Sequence, residues 1–191
     1  MNILIDKLPT EVLINGEKCK INSNFRTSLL FFLLMNDKAL TQMQKIQQAM
    51  ILYYDRIFPT NLLEEAIDKA MWFFRCGKDL TTSSKTGNSN KKVLDYDIDA
   101  DLIYSAFLSQ YNIDLQDIKY LHWWKFKALM DGLEDNNRIC EIIKFRSVDI
   151  NKIKDKEQKK YYKQMQKIYE IKEELSEEDK KYLDDLYEKL K

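Results

Sequence analysis

The chain has 191 residues, of which 45% are hydrophobic and 32% are charged. This length and composition predict one globular domain or two small ones, and they exclude wholesale disorder. The 31 basic and 31 acidic residues give a formal net charge of zero, so the chain lacks the overall attraction for phosphate on which general nucleic-acid binders depend.

Residues that interrupt regular structure are scarce, because the chain contains only four glycines and two prolines. This scarcity predicts a mainly α protein. The exception is the N-terminus, where EVLI and EKCKI flank Asn15-Gly16, a pair that fits the two positive-φ positions of a type I′ turn. We therefore predict a helical bundle with a short N-terminal β-hairpin and a flexible mid-chain linker.

Three helices are predicted to follow the hairpin and to complete a first segment, residues 1–77. FRTSLLFFLLMN follows a cap at Ser23 or Asn24, and TQMQKIQQAMILYYDRIF runs up to Pro59. LLEEAIDKAMWFFRC, capped by Thr60 or Asn61, ends at Gly77. Residues 78–94 are predicted to form a flexible polar linker, because KDLTTSSKTGNSNKK contains one hydrophobic residue in fifteen.

The second predicted segment, residues 95–191, is helical and begins with aspartates at alternate positions. These aspartates lack the central glycine and terminal glutamate of a calcium loop, so we expect them to cap the helix ADLIYSAFLSQY and to place negative charge at its positive end. Further helices are predicted over residues 115–131, 136–145, 155–170 and 176–191. Each of the last two has a single apolar stripe, which favours an antiparallel pair. The aspartates are Asp95, Asp97, Asp99 and Asp101.

No pattern in the sequence indicates catalysis. The three cysteines are far apart without metal-ligand spacing, His122 is the only histidine, and no glycine-rich phosphate loop is present. We expect no enzymatic activity, no cofactor, no metal and no small-molecule substrate. The start MNILIDKLP lacks a secretion signal, and LLFFLLM is too short to cross a bilayer. We therefore expect a protein of the host cytoplasm without a membrane or nucleic-acid partner.

The stretch YLHWWKFKALMDGL, residues 120–133, is apolar on two opposite sides of a helix. In one interpretation this is the central helix of its domain, covered by neighbours on both sides. In the other, the stripe of Trp123, Phe126 and Met130, with Tyr120 beside it, remains exposed for a partner protein. His122 is expected to be a packed or seam-exposed histidine.

Several stretches together resemble the "gene product fifteen" family of long-tailed phages and prophages of Gram-positive bacteria. The resemblance covers residues from about Leu8 to Tyr169, and the His-Trp-Trp-Lys-Phe block is its most specific part. The stretches are LPTEVLINGEKCKINSNFRTSLLF, YDIDADLIYSAFLSQYNIDL, LHWWKFKALMDGL, FRSVDI and KDKEQKKYYKQMQKIY.

This resemblance implies a role in tail assembly. Such proteins are similar to tail assembly chaperones, which coat the tape-measure protein, keep it soluble and help to recruit tail-tube subunits. The implied partners are the tape-measure protein and the tail-tube protein, and self-association remains open. Two alternatives also remain: a permanent virion component, such as a tail or head–tail connector protein, and a regulatory nucleic-acid binder that uses the lysine-rich linker.

Overall fold

The computed structural model describes residues 1–78 and 92–172, and within them the chain forms two strands and seven α-helices. The described elements are β1 (Glu11–Ile14), β2 (Glu17–Lys20), α1 (Phe25–Asn36), α2 (Gln42–Tyr54), α3 (Thr60–Phe74), α4 (Ala100–Tyr111), α5 (Trp123–Asp131), α6 (Arg138–Ser147), a 3-10 turn (Ile150–Lys152) and α7 (Lys156–Ile168). The predicted mainly α class with an N-terminal hairpin is confirmed. Within these two stretches no helix combines the length and apolar character needed to span a membrane.

The hairpin and the first two helices begin where local chemistry predicts. β1 and β2 pair antiparallel, with Val12 opposite Cys19, and both Asn15 and Gly16 have positive φ. The Asn24 side chain accepts a hydrogen bond from the backbone N–H of Arg26 and so caps α1. Thr41 and Gln44 form a reciprocal capping box at the start of α2.

The predicted caps of α3 and α4 are wrong. α3 begins after Pro59 without a side-chain cap, so neither Thr60 nor Asn61 serves in that role. Asp99 occupies the N-cap position of α4 without capping it, because its carboxylate binds Arg146 instead. Asp95 is the aspartate that closes the preceding turn, where its Oδ1 accepts from the N–H groups of Asp97 and Ile98.

The described parts of both predicted segments contribute to one hydrophobic core. Buried residues from α1, α2 and α3 belong to the same cluster as buried residues from α4, α5 and α6. Part of the predicted linker 78–94 also belongs to the folded structure, since Leu94 packs against this core. Residues 79–91 and the predicted helix 176–191, with its antiparallel pairing, lie outside the described residues.

The predicted helix 115–131 is shorter than expected, because α5 begins only at Trp123. The guanidinium of Arg26 donates to the carbonyls of Leu115 and Ile118, at 2.6 and 2.9 Å, and so engages backbone acceptors that a helix would use internally. Just before α5 the backbone of Leu121 accepts from the N–H of Phe25 at 2.9 Å. The irregular stretch 115–122 is therefore held against the start of α1.

Candidate functional site

The His-Trp-Trp block joins the start of α5 to the end of α3. The imidazole of His122 caps α5, because its Nδ1 accepts from the backbone N–H of Trp124 at 3.1 Å. The indole N–H of Trp123 donates to the carbonyl of Phe74, and that of Trp124 to the carbonyl of Phe73, both at 2.8 Å. Since the last carbonyls of a helix lack partners within it, the two indoles help to satisfy the end of α3.

The aromatic side chains of this block lie at the centre of the core. Phe126 stacks on Phe25 of α1 at 5.1 Å between ring centroids, on Phe107 of α4 at 4.9 Å and on Trp123 at 5.6 Å. Trp123 also stacks on Phe74 of α3 at 5.4 Å. Helix α5 is thus covered on both sides, as the first of the two sequence interpretations expects.

The prediction that the stripe lies exposed is wrong. Trp123 is 1% exposed, Phe126 0% and Met130 7%. Of the four residues predicted to bind a partner, only Tyr120 is open to solvent, at 52%, and its hydroxyl hydrogen-bonds that of Ser23. The physical reason is that neighbouring helices cover both apolar sides of α5, so its rings stabilise the fold.

An open groove lies beside the end of α5 and is a better candidate for a binding surface. It has a volume of about 780 Å³ and is lined on one side by Met130 and Leu133 and on the other by Cys140 and Ile143 of α6. These side chains are buried or half-buried, whereas most of the charged residues that line the groove are exposed. The charged residues are Asp131, Asp135, Glu141 and Lys144.

The cysteine that lines the groove has a raised pKa. Burial, assisted by the carboxylate of Asp135, raises the pKa of the Cys140 thiol. Elsewhere in the core, burial raises the pKa of Cys76 to about 11. A protonated thiol is a poor nucleophile and a poor metal ligand. In the described parts of the chain, no three His, Cys, Asp or Glu side chains are placed to hold a metal ion. The groove offers an apolar surface with charged edges.

A comparison with protein families assigns the chain to one of them. The profile of the family described as "Bacteriophage Gp15 protein" matches residues 4–171, which is most of the sequence. The chain belongs to the bacteriophage Gp15 family. The matched residues include the hairpin, all seven helices and the groove. Neither a curated protein sequence nor a solved structure matches the chain.

In this Gp15 family member, sequence reasoning located the aromatic block but not the groove. Met130 is the one predicted residue that also lines the groove. The sequence does not indicate that Cys140 and Ile143 line a groove, because apolar residues at helical spacing are expected on any half-buried helix. The groove depends on how the end of α5 lies beside α6, and the hydrophobic pattern of either helix alone does not specify that arrangement.

Proposed function

We propose that this Gp15 family member is a tail assembly chaperone that binds the helical tape-measure protein and keeps it soluble during tail morphogenesis. The observation that supports the proposal most directly is the open groove between the end of α5 and α6. A long amphipathic helix that is not yet assembled exposes apolar side chains, and a groove of this kind receives such side chains at positions three and four residues apart.

The chemistry of the groove suits temporary binding. The methionine that lines it, Met130, is flexible and polarizable, which allows one surface to accept side chains of different shapes. Modest affinity at each site, multiplied over many copies along one long partner, gives strong overall binding that is still reversible. The proposed role needs no catalytic residue and no cofactor. The tail-tube protein is a second proposed partner, and self-association along the tape-measure protein is compatible with the same surface.

Blocking the groove tests the proposal. Ser147, which lines the groove, is exposed on α6, and its hydroxyl donates to the carbonyl of Lys144 three residues earlier at 3.1 Å. Ser147→Trp places a large side chain at the groove from an exposed position, so the fold is expected to survive. On co-expression with the tape-measure protein of the same phage, we expect the soluble yield of the tape-measure protein to fall at least about fivefold.

The chain offers a closely matched control. Ser109 of α4 is also exposed, and its hydroxyl donates in the same way to the carbonyl of Ala106 at 3.3 Å, but it does not line the groove. Ser109→Trp should leave the yield of soluble tape-measure protein unchanged. If both variants lower the soluble yield equally, or if neither lowers it, the proposed groove is contradicted. A stoichiometric amount of this protein in purified virions, measured by mass spectrometry, contradicts the chaperone role and favours a permanent virion component.

A further inference from the structure

The charges that line the groove change sign along its length. The groove follows α6 from the turn before this helix, where Asp135 and Asn136 lie, to Ser147, the last residue of the helix. Asp131 and Asp135 line the groove near the turn, whereas Lys144 lines it in the last turn of α6. We name the part with Asp131 and Asp135 the turn end, and the part with Lys144 and Ser147 the lysine end.

Two of the carboxylates that line the groove already have a counter-charge beside them. Asp131 pairs with Lys127 at 3.3 Å, and Glu141 pairs with Arg138. Opposite charges a few ångströms apart largely cancel each other at longer distances. These two carboxylates therefore contribute little to the attraction or repulsion of a charged ligand.

The charges without such a partner lie at opposite ends of the groove. In the part of the chain that the structure describes, no ion pair includes Asp135, its neighbour Glu134 or Lys144, and all three are exposed. Lys144 follows the start of α6 by six residues, which is about 9 Å along the helix axis. The groove is therefore negative at the turn end and positive at the lysine end, with the apolar Cys140 and Ile143 between them.

We propose that the groove selects the direction in which an amphipathic helix lies in it, with the basic end of that helix at the turn end and its acidic end at the lysine end. The inference rests on the proposed function, because it takes the groove as the binding site and specifies the segment that fits it. From the start of α6 to Ser147 the axis rises about 14 Å, so the bound segment is about ten residues long. Its apolar side chains contact Cys140 and Ile143.

The selection of direction follows from the charges at the two ends. Charges at the rim of an interface add little affinity, but they exclude wrong arrangements by bringing like charges together. In the reverse direction both ends of the bound segment meet their own sign. Copies of this protein on successive segments with the same order of charges therefore all lie in the same direction along their partner.

Paramagnetic broadening of the protein's amide resonances measures the direction. The probe is a synthetic peptide of about 14 residues with leucines at spacings of three and four, glutamates in its first turn and lysines in its last. A spin label at its lysine end, on the full-length protein at about 0.02 M salt, should broaden residues 134–136 at least about tenfold more than residues 144–147. A label at the glutamate end should reverse this pattern.

A charge exchange within the groove tests the cause. Asp135→Lys with Lys144→Glu keeps the net charge and makes the lysine end negative and the turn end about neutral, because Glu134 remains there. The peptide should then bind in the opposite direction, and the label at its lysine end should broaden residues 144–147. Asp117→Lys with Lys119→Glu makes the same exchange at exposed positions that do not line the groove, and it should leave the natural direction unchanged.

The outcomes separate the direction from the groove itself. Equal broadening at both ends of the groove, or an unchanged direction after the exchange at Asp135 and Lys144, overturns the proposed selection and leaves the groove as a binding site. Ser147→Trp should abolish binding of the peptide in either direction. A peptide that does not bind the natural chain, or that binds the Ser147→Trp variant equally well, overturns both the groove and the selection of direction.

Discussion

His122 makes two hydrogen bonds that require different states of its two ring nitrogens. Nδ1 accepts from the backbone N–H of Trp124, while Nε2 lies 2.9 Å from the carbonyl of Pro9 and must donate to it. The neutral Nε2–H form satisfies both contacts, whereas protonation at Nδ1 removes the acceptor that caps α5. Burial, with a smaller contribution from the nearby positive charge of Lys125, lowers the pKa of His122, although the bond to Pro9 opposes this change.

This arrangement predicts a pH dependence of stability with a definite sign. An unfolded histidine has a pKa of about 6.5, so as the pH falls the unfolded chain binds a proton before the folded chain does. The contribution of neutral His122 is complete above about pH 6.5 and is lost as the pH falls from there towards the lower folded pKa. Urea unfolding at pH 7.5, 6.5 and 5.5 should show a decreasing free energy of unfolding.

His122→Asn isolates the effect, because His122 is the only histidine in the chain. Asparagine can still accept the capping hydrogen bond of α5 but does not titrate. The variant should be less stable at pH 7.5, since the bond to Pro9 is altered, but its stability should change little between pH 7.5 and 5.5. If its pH dependence equals that of the natural chain, another group is responsible.

At the scale of the elements, a buried ion pair connects the start of α4 to the end of α6. The guanidinium of Arg146 donates to both carboxylate oxygens of Asp99, at 2.7 and 3.0 Å, and both side chains are almost completely buried. Arg146 also donates from Nε to the carbonyl of Tyr169 at 2.6 Å and from Nη1 to the carbonyl of Val93 at 3.2 Å. One arginine therefore holds together α4, α6, the residue after α7 and the chain just before Asp95.

We predict that Asp99→Ala lowers the free energy of unfolding by about 3–5 kcal/mol, because it leaves a buried guanidinium without its counter-charge. Denaturant unfolding measures the loss. The exposed pair of Arg138 and Glu141 on α6 provides the control, and Glu141→Ala should cost about 1 kcal/mol or less. Arg146→Met combined with Asp99→Ala should cost less than the sum of the two single changes. Additive losses would contradict direct coupling of the two residues.

Local sequence determines some features of these elements, while distant residues determine others. The hairpin turn at Asn15-Gly16 and the cap at Asn24 were predictable, since each depends on residues close together in the chain. The role of Asp99 was not, because Arg146 lies 47 residues away and an aspartate before a helix normally predicts a cap. The late start of the helix predicted over residues 115–131 also depends on a distant residue, Arg26.

At the scale of the whole molecule, the aromatic core joins stretches that the sequence assigned to separate segments. Phe126 stacks on Phe25 from the first segment and on Phe107 from the second. The sequence predicted two apolar sides for this helix, but the pattern is the same whether neighbouring helices or a partner protein cover them. Only the packing of α1, α3 and α4 around α5 decides between these interpretations, and that information is not local.

A shared core predicts that the two segments lose stability together. Trp123→Ala removes an almost fully buried ring that contacts Phe74 of α3 and Phe126 of α5, and it should lower the free energy of unfolding by about 3–5 kcal/mol. Native-state amide exchange should show the same loss for the most protected amides of α3 and of α4. The control Tyr120→Ala, at a half-exposed position, should cost about 1 kcal/mol, chiefly the hydrogen bond to Ser23. A loss confined to α4 and α5, with exchange in α3 unchanged, would mean that the segments open independently and that the core does not couple them.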